Sequence, residues 1–270
     1  MKLGCCVNML ADKADPVGRK YLPMLKELSY DFVELPLAQV MDLSEDEFSS
    51  LVNELDDRNL PCKSCNNFFP QSVRLTGEHT ASPAVIQQYI ERSLRRASRL
   101  GAEKVVFGSS GAKNIPAGFP YEKAYQQVVE VMRQAAPVAG DLGIAIALEP
   151  LNRTESNLIL NLTESIQLME YIDSPHVRLM LDYYHFVLEN DSMEILCAHA
   201  KELIHVHLAS PAERRVPDLG DIAIVYLLEQ LGYHGEVSIE AFSDDPYDDL
   251  AAARKLFPGK LYCKQSACGA

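Results

Sequence analysis

Short β-forming runs alternate with longer helical runs along the whole sequence, and this alternation is the feature that most limits the possible folds. Eight units follow one another without a break in composition, with predicted strands at residues 2–9, 32–37, 61–66, 104–108, 144–149, 177–182, 203–208 and 236–241. Strands that each lead into a helix are typical of an all-parallel sheet. The pattern therefore predicts one α/β domain, a (β/α)8 TIM barrel over residues 1–258, followed by an irregular C-terminal tail over 259–270.

A doubly wound open sheet is the alternative for alternating strands and helices. Such sheets usually carry a glycine-rich phosphate loop after an early strand, and this sequence has none. Helix starts agree with the eight units, since Ser44 and Glu47 have the spacing of a capping box. Asp218 or Asp221 is predicted to begin the helix between the last two strands.

The composition disfavours two classes of partner. The 270 residues carry a net charge of −13, and such an acidic chain lacks the basic face that binding to nucleic acid needs. No run of about 18 apolar residues occurs, so no membrane-spanning helix is predicted. The N-terminal apolar run is short and interrupted by Asn8, and we interpret it as a strand and not as a secretory signal.

The chain has seven cysteines, an odd number, and most lie in apolar surroundings. Free thiols of this kind are typical of the reducing cytoplasm, which is the predicted location. Cys62 and Cys65 have the spacing of a redox motif, but residues three apart on a regular strand point to opposite faces. We therefore predict that these two thiols do not meet.

Polar side chains stand at the predicted C-terminal ends of the last four strands, where a barrel of this type carries its chemistry. They are Glu149, Asp182, His207 and Glu240. Small residues share their strand faces, as Ala147 does with Glu149, and small residues fit the crowded barrel interior. Three carboxylates and an imidazole at one spot would repel without a cation. The sequence therefore predicts one bound divalent metal ion, with Mn²⁺ preferred and Mg²⁺, Co²⁺ or Zn²⁺ as alternatives.

Further polar residues are predicted to face the same rim. His185 follows the sixth strand, and Glu155 lies on the loop after the fifth strand. Asn8 and Asn66 stand near the ends of the first and third strands, and all four are candidate substrate contacts. For Asn8 and Glu34, a structural role and a substrate-binding role are both open.

A second inward histidine, His205, lies two residues before His207 and is therefore expected one layer deeper in the barrel. A lone inward histidine is usually held by hydrogen bonds within the core. We interpret His205 as a packing residue or as a support for a metal-binding side chain.

Three runs resemble the xylose-isomerase-like barrel superfamily: 148–155 (LEPLNRTE), 182–185 (DYYH) and 205–207 (HVH), followed by Ile239 and Glu240. Within it, the chain is most similar to the ketose 3-epimerase group, which includes D-tagatose and D-psicose 3-epimerases, with inosose and hydroxypyruvate isomerases nearby. The resemblance covers essentially the whole chain in strand order and is most specific in the second half.

The resemblance implies roles for individual residues. The metal ligands that it implies are Glu149, Asp182, His207 and Glu240. Glu149 and Glu240 would also act as the acid/base pair, and Glu155 and His185 would contact the substrate. A homodimer is a further implication of the resemblance.

The sequence departs from the ketose 3-epimerase group after the metal-binding histidine. Members of the group usually carry a Gly-Glu pair and then an arginine that holds the substrate, whereas residues 207–215 here read HLASPAERR. Arg214 or Arg215 is the candidate for this arginine. The departure leaves open which sugar is the substrate. It also leaves open whether the reaction is 3-epimerisation or another aldose–ketose or enolisation reaction.

These observations predict a sugar isomerase or epimerase of carbohydrate metabolism that acts on a ketose or a related polyol-ketone. Proton abstraction next to the carbonyl would give an ene-diolate stabilised by the metal, with Glu149 and Glu240 on opposite faces of the substrate. A dehydratase or lyase of a keto-sugar or keto-inositol begins with the same abstraction and is the alternative. A DNA-repair endonuclease would need more histidines and less acidity. A non-catalytic sugar-binding barrel would not need the complete ligand set.

Overall fold

The computed structural model describes residues 1–257, which form a closed barrel of parallel strands. The strands are β1 (Lys2–Cys6), β2 (Phe32–Pro36), β3 (Cys62–Asn66), β4 (Lys104–Phe107), β5 (Ala145–Leu148), β6 (Val177–Asp182), β7 (Leu203–Leu208) and β8 (Glu236–Ile239). Each strand pairs with its neighbours in chain order, and β1 closes the ring by pairing with β8. The predicted (β/α)8 barrel is confirmed. The predicted boundary at residue 258 and the tail over 259–270 lie outside the described residues.

Helices connect the strands, and those of the described residues are α1 (Leu22–Glu27), α2 (Leu37–Asp42), α3 (Glu45–Arg58), α4 (Pro83–Leu100), α5 (Ser110–Lys113), α6 (Tyr121–Asp141), α7 (Leu162–Ile172), α8 (Tyr183–Leu188), α9 (Met193–His199), α10 (Ala223–Gln230) and α11 (Pro246–Leu256). Ser44 caps α3 in the predicted capping box with Glu47. Neither Asp218 nor Asp221 caps α10, and that prediction was wrong because their carboxylates bond within the preceding turn. Within residues 1–257, we find no helix with the length and apolar character of a bilayer-spanning segment.

Five strands end one to three residues earlier than predicted, all at the mouth of the barrel, and they are β1, β2, β4, β5 and β8. β1 ends at Cys6, and Val7–Met9 form a short 3-10 turn. β8 ends at Ile239, so Glu240 is the first residue after its strand, as Glu149 is after β5. The backbone leaves the sheet at these points, and the side chains that follow can turn over the barrel axis.

Apolar side chains fill the lower part of the barrel interior. Phe32 is fully buried there, and it has room because Gly4, its partner in the pairing of β1 with β2, lacks a side chain. A Cβ at Gly4 would lie 2.2 Å from the Phe32 ring. Val106, Ala147 and Met180 form a further buried cluster. The barrel is therefore a packed core that supports the polar groups above it.

Cys62 and Cys65 come together, and the prediction that they would not meet was wrong. Their Sγ atoms lie 3.9 Å apart, and both side chains are buried. The pairing of β2 with β3 passes from Cys62 directly to Ser64, so Lys63 is an extra residue in β3. A bulge of this kind shifts the alternation of side chains by one position, and the two cysteines then share a face.

Replacement of Gly4 by alanine is expected to destabilise the protein by about 1–3 kcal/mol, because the new methyl group would overlap the Phe32 ring in a packed interior. The measurement is the free energy of unfolding in urea, followed by circular dichroism. Gly220→Ala is the control, since the added Cβ would approach only Asp218 Oδ1, at 3.2 Å, in an exposed turn. Equal unfolding midpoints for the two variants would contradict this packing of the barrel floor.

Candidate metal centre and active site

Four polar side chains converge at the mouth of the barrel, and they are Glu149, Asp182, His207 and Glu240. Nδ1 of His207 lies 3.0 Å from Oε1 of Glu149 and 2.9 Å from Oε2 of Glu240. Its distance to Oδ2 of Asp182 is 3.8 Å. The ligand atoms of all four residues lie within 4.8 Å of one another, and all four side chains are buried. Three carboxylates and one imidazole in this arrangement fit the ligand preferences of a divalent cation such as Mn²⁺ or Zn²⁺.

Burial and mutual repulsion leave the carboxylates of this cluster in need of positive charge. Burial raises the pKa of Asp182 to about 8, against the charge of Arg214, and the carboxylates of Glu240 and Glu149 add to the rise. Burial disfavours the imidazolium of His207, but Glu240, Cys6 and Glu34 together outweigh this effect, so that the pKa of His207 lies well above its usual value. A proton or a metal ion must therefore neutralise part of the cluster.

Below the mouth, Glu34 holds the imidazole of His207 in place. Glu34 Oε1 lies 2.9 Å from Nε2 of His207, and its Oε2 lies 2.7 Å from Nε2 of His205 and accepts from Ser64 Oγ at 2.7 Å. Burial favours the neutral acid, but the two histidines hold the pKa of Glu34 well below its usual value.

As a carboxylate, Glu34 accepts the Nε2 proton of His207, which leaves Nδ1 directed at the three carboxylates of the cluster. Glu34 is fully buried, so the structure favours the structural role over the substrate-binding role that the sequence left open. His205 supports Glu34 in turn, which agrees with its interpretation as a support for a metal-binding side chain.

Arg214 reaches the cluster, whereas Arg215 does not. Nη2 of Arg214 donates to Oε2 of Glu240 at 2.7 Å and to Oδ2 of Asp182 at 3.3 Å. Arg215 is half-exposed and pairs with Asp244 at 2.8 Å. Of the two candidate substrate arginines, the structure therefore brings only Arg214 into the site, because the side chain of Arg215 turns outward to an exposed carboxylate.

The backbone and an aromatic ring fix the direction of Arg214. Glu213 and Arg214 both lie in the left-handed region, at φ values of 57° and 52°, which non-glycine residues rarely adopt. The guanidinium lies 4.9 Å from the centroid of the Tyr184 ring, and its Nη1 lies 3.4 Å from Oε1 of Glu155. Strained backbone of this kind is common at functional sites.

Two amide side chains contact Glu240 from other strands. Nδ2 of Asn8 donates to Oε1 of Glu240 at 3.2 Å, and Nδ2 of Asn66 donates to the same oxygen at 3.0 Å. The Oδ1 atoms of both asparagines are buried and have no hydrogen-bond partner within the described chain. The amides therefore fix Glu240 and leave two acceptors in the wall of the site.

His185 and Glu155 also lie at the rim, as predicted. Nδ1 of His185 accepts from the backbone N–H of Asn152 at 3.2 Å, so the proton of the neutral ring lies on Nε2. Burial lowers the pKa of His185, which favours this neutral form. Its Nε2 lies 3.7 Å from Oδ2 of Asp182 and forms no hydrogen bond within the described residues. His185 thus offers one N–H donor to the site, and Glu155 is partly exposed beside it.

Two residues after β4 belong to the site although nothing in the sequence singled them out. Gly108 lies against Glu149, since a Cβ there would come within 1.9 Å of Oε2 of that residue. Lys113 is fully buried, and its Nζ donates to the carbonyl oxygen of Gly108. Lysine is among the residue types that are most often exposed, so its position in the sequence gave no signal of burial.

Comparisons with known proteins agree with this architecture. A family model described as xylose isomerase-like TIM barrel matches residues 22–258. A D-psicose 3-epimerase from Agrobacterium fabrum is 26% identical over 235 residues, which cover 82% of this chain and 78% of that protein. A ketose 3-epimerase from Arthrobacter globiformis is 25% identical over 254 residues, which cover 90% of this chain and 84% of that protein.

Among solved structures, the crystal structure of a D-psicose 3-epimerase in the presence of D-fructose superposes with a TM-score of 0.79. The two chains are 21% identical, and the match covers 95% of this chain and 96% of the other. At this identity the likeness concerns the fold.

Binding of Mn²⁺ at pH 7 is expected to release at least one proton per ion. With a pKa of about 8, the carboxyl of Asp182 is mostly protonated at pH 7 and must ionise to bind a metal. His207 must also lose the proton on Nδ1. Calorimetric titrations in buffers of different ionisation enthalpy measure the number of protons released per ion. This number should fall as the pH rises above about 8, because Asp182 is then already ionised. The absence of proton release at pH 7 would contradict this charge state.

Replacement of Glu34 by glutamine is expected to weaken Mn²⁺ binding by roughly 10–100-fold, because the imidazole of His207 loses the carboxylate that orients it. Isothermal titration calorimetry measures the dissociation constant. Glu236→Gln is the matched control, since Glu236 begins β8 at the opposite end of the barrel, where it pairs with Lys104. An affinity within twofold of the wild type for Glu34→Gln would contradict the role given to Glu34.

Proposed function

Since the chain belongs to the xylose isomerase-like TIM barrel family, we propose that it is a divalent-metal-dependent sugar epimerase or isomerase. The two relatives described above are named epimerases, and the chain is an enzyme of the isomerase class. We propose a ketose or a related polyol-ketone as the substrate and Mn²⁺ as the preferred ion.

One observation carries the proposal, and it is the position of two glutamates around one imidazole. Glu149 follows β5 and Glu240 follows β8, and these strands lie on different sides of the closed ring. Both carboxylates nevertheless come within about 3 Å of the same atom, Nδ1 of His207. Two bases on either side of a cation site are the arrangement that inversion of a carbon next to a carbonyl requires.

A divalent ion held by these four side chains would supply a Lewis acid for the carbonyl and hydroxyl oxygens of the sugar. One glutamate of the pair, as the carboxylate, would take the proton from the carbon next to the carbonyl. The C–H electron pair would then form a C=C bond as the carbonyl π pair moves onto oxygen, which gives an ene-diolate. The other glutamate, as the acid, would give its own proton to the opposite face of the same carbon as the carbonyl re-forms, and the guanidinium of Arg214 would favour the negative charge on oxygen.

The remaining polar groups of the rim would orient the substrate. The Nε2–H of His185 would donate to a substrate oxygen, and the carboxylate of Glu155 would accept from a hydroxyl. The buried Oδ1 atoms of Asn8 and Asn66 offer two further acceptors beside Glu240. A polyhydroxylated ligand suits this mixture of donors and acceptors.

Replacement of Glu240 by glutamine is expected to lower the rate of hydrogen exchange in the substrate by roughly 10²–10⁴-fold, because the proton carrier on one face is lost. The protein is loaded with Mn²⁺ and incubated in D₂O with free and phosphorylated ketoses, and deuterium uptake is followed by NMR with a chelator control. Glu236→Gln is the matched variant and should keep the wild-type rate. Unchanged exchange in Glu240→Gln would contradict the role of Glu240.

The position of the label identifies the reaction. Uptake at carbon 3 corresponds to 3-epimerisation, and uptake at carbon 1 or 2 corresponds to aldose–ketose isomerisation. A product that has lost a hydroxyl would instead identify the alternative reaction, that of a dehydratase or lyase. Persistence of exchange after removal of the metal would contradict the metal dependence.

A further inference from the structure

Lys113, the last residue of α5, is a buried lysine that the reaction outlined above does not use. Its side chain has no exposure to solvent. Among the described residues, its Nζ bonds only to the carbonyl oxygen of Gly108, and it lies 5.6 Å from the centroid of the Phe107 ring. Burial of an ammonium group away from water, with no carboxylate in contact, costs free energy. The burial of Lys113 therefore needs an explanation.

The charges that favour the ammonium belong to the candidate active site. Burial lowers the pKa of Lys113 to about 8, and the carboxylates of Glu149 and Glu155 oppose this shift. The group is therefore mostly charged at pH 7. The protein keeps a positive charge at this position in the field of the two site carboxylates.

Lys113 reaches Glu149 through a single peptide unit. The carbonyl of Gly108 accepts from Nζ of Lys113, and the Cα of Gly108 faces Glu149 so closely that a Cβ would lie 1.9 Å from Oε2. The backbone N–H of Glu149 donates to the carbonyl of Phe107 at 3.3 Å. The carboxylate of Glu149 therefore rests on the chain segment that Lys113 holds.

The segment that carries Lys113 is tied to the loops on both sides. Oγ1 of Thr76 donates to the carbonyl of Lys113 at 3.0 Å. Nδ2 of Asn114 donates to the carbonyl of Glu155 at 2.9 Å, and Oγ of Ser156 donates to Oδ1 of Asn114 at 2.8 Å. The backbone at Lys113 is thus fixed relative to the loop that bears Glu155.

Among the described residues, two buried cations besides the imidazolium of His207 lie around this mouth, one beside each glutamate of the proposed acid/base pair. Arg214 contacts Glu240 directly, at 2.7 Å, and its guanidinium is always charged. Lys113 stands behind Glu149 and contacts it only through Gly108. The carboxylates of the site outnumber these two cations, so each cation has a large effect on the net charge there.

We propose that Lys113 supplies a fixed positive charge to the site from its place behind Gly108 and Glu149. The inference rests on the proposed function. A positive charge near the cluster repels a divalent cation and attracts the negative charge that the sugar acquires in the ene-diolate. Lys113 therefore weakens metal binding and accelerates turnover, and these two effects have opposite signs.

The test compares Lys113→Met with Lys113→Gln. Glutamine keeps a donor for the carbonyl of Gly108 without the charge, and methionine keeps neither. At pH 7 both variants are expected to bind Mn²⁺ roughly three- to tenfold more tightly in calorimetric titrations, because one positive charge has left the site. Both are expected to lose roughly tenfold in kcat for hydrogen exchange, because the ene-diolate loses the same charge.

Lys104→Met is the matched control, because Lys104 begins β4 at the opposite end of the barrel and pairs there with Glu236. This variant should keep the wild-type affinity for Mn²⁺ and the wild-type kcat. Its melting temperature should fall, since Glu236 loses its partner, whereas the Lys113 variants should melt no lower than the wild type. A purely structural role for Lys113 would predict a lower melting temperature and weaker metal binding.

Three results would overturn the inference. If the wild-type protein binds Mn²⁺ and turns over its substrate, weaker or unchanged Mn²⁺ binding in both Lys113 variants would contradict only the role given to Lys113. Wild-type behaviour of Lys113→Gln beside a defective Lys113→Met would assign the effect to the hydrogen bond and not to the charge. A wild-type protein that neither binds Mn²⁺ nor exchanges hydrogen would overturn the proposed function and this inference together.

Discussion

The hydrogen bond between Glu34 and Nε2 of His207 is the interaction on which the site depends. It joins the packed interior of the barrel to the polar mouth, because Glu34 stands one layer above Phe32 and one layer below the three carboxylates around Nδ1. An acceptor at Nε2 directs Nδ1 toward the mouth. The apolar floor built around Gly4 and Phe32 therefore contributes indirectly to the chemistry, since it sets the height at which Glu34 meets the imidazole.

Above this hydrogen bond, like charges accumulate in a region that water does not screen. A divalent ion held by the cluster would neutralise part of this charge, and Arg214 neutralises another part by direct contact with Glu240 and Asp182. The two amides of Asn8 and Asn66 add neutral donors to the same carboxylate. The two glutamates therefore have different surroundings, because Glu240 carries a direct ion pair and two amide contacts, whereas Glu149 rests against Gly108. The surroundings of the two glutamates are therefore chemically different.

The sequence predicts those features of the fold that depend on local pattern. Alternation of strands and helices was sufficient for the barrel, and the rule that chemistry lies at strand ends located the polar residues of the mouth. The bulge at Lys63 had no local signal, so the facing of Cys62 and Cys65 was missed. The contact between Glu34 and His207 joins residues far apart in sequence, and its depth depends on how the strands are staggered in the closed ring.

Arg214 and Arg215, in one loop, show what prediction from local sequence pattern cannot resolve. Adjacent arginines have the same local chemistry, and their opposite directions follow from the backbone. The buried position of Lys113 was likewise invisible, because lysine side chains are usually solvated and the short helix that carries it has no periodic pattern. The direction of Arg214 and the burial of Lys113 depend on how the surrounding loops fold, and the local sequence does not predict this.

The left-handed backbone at Glu213 and Arg214 has a consequence for the thermodynamics of ligand capture. A long arginine side chain normally loses rotameric freedom when it first engages a ligand, and that loss subtracts from affinity. Here the guanidinium is already confined between the ring of Tyr184 and the carboxylates, so its freedom was lost when the chain folded. A ligand that engages this guanidinium would meet a donor group that needs little reorganisation, so the entropic penalty from the arginine side chain would be small.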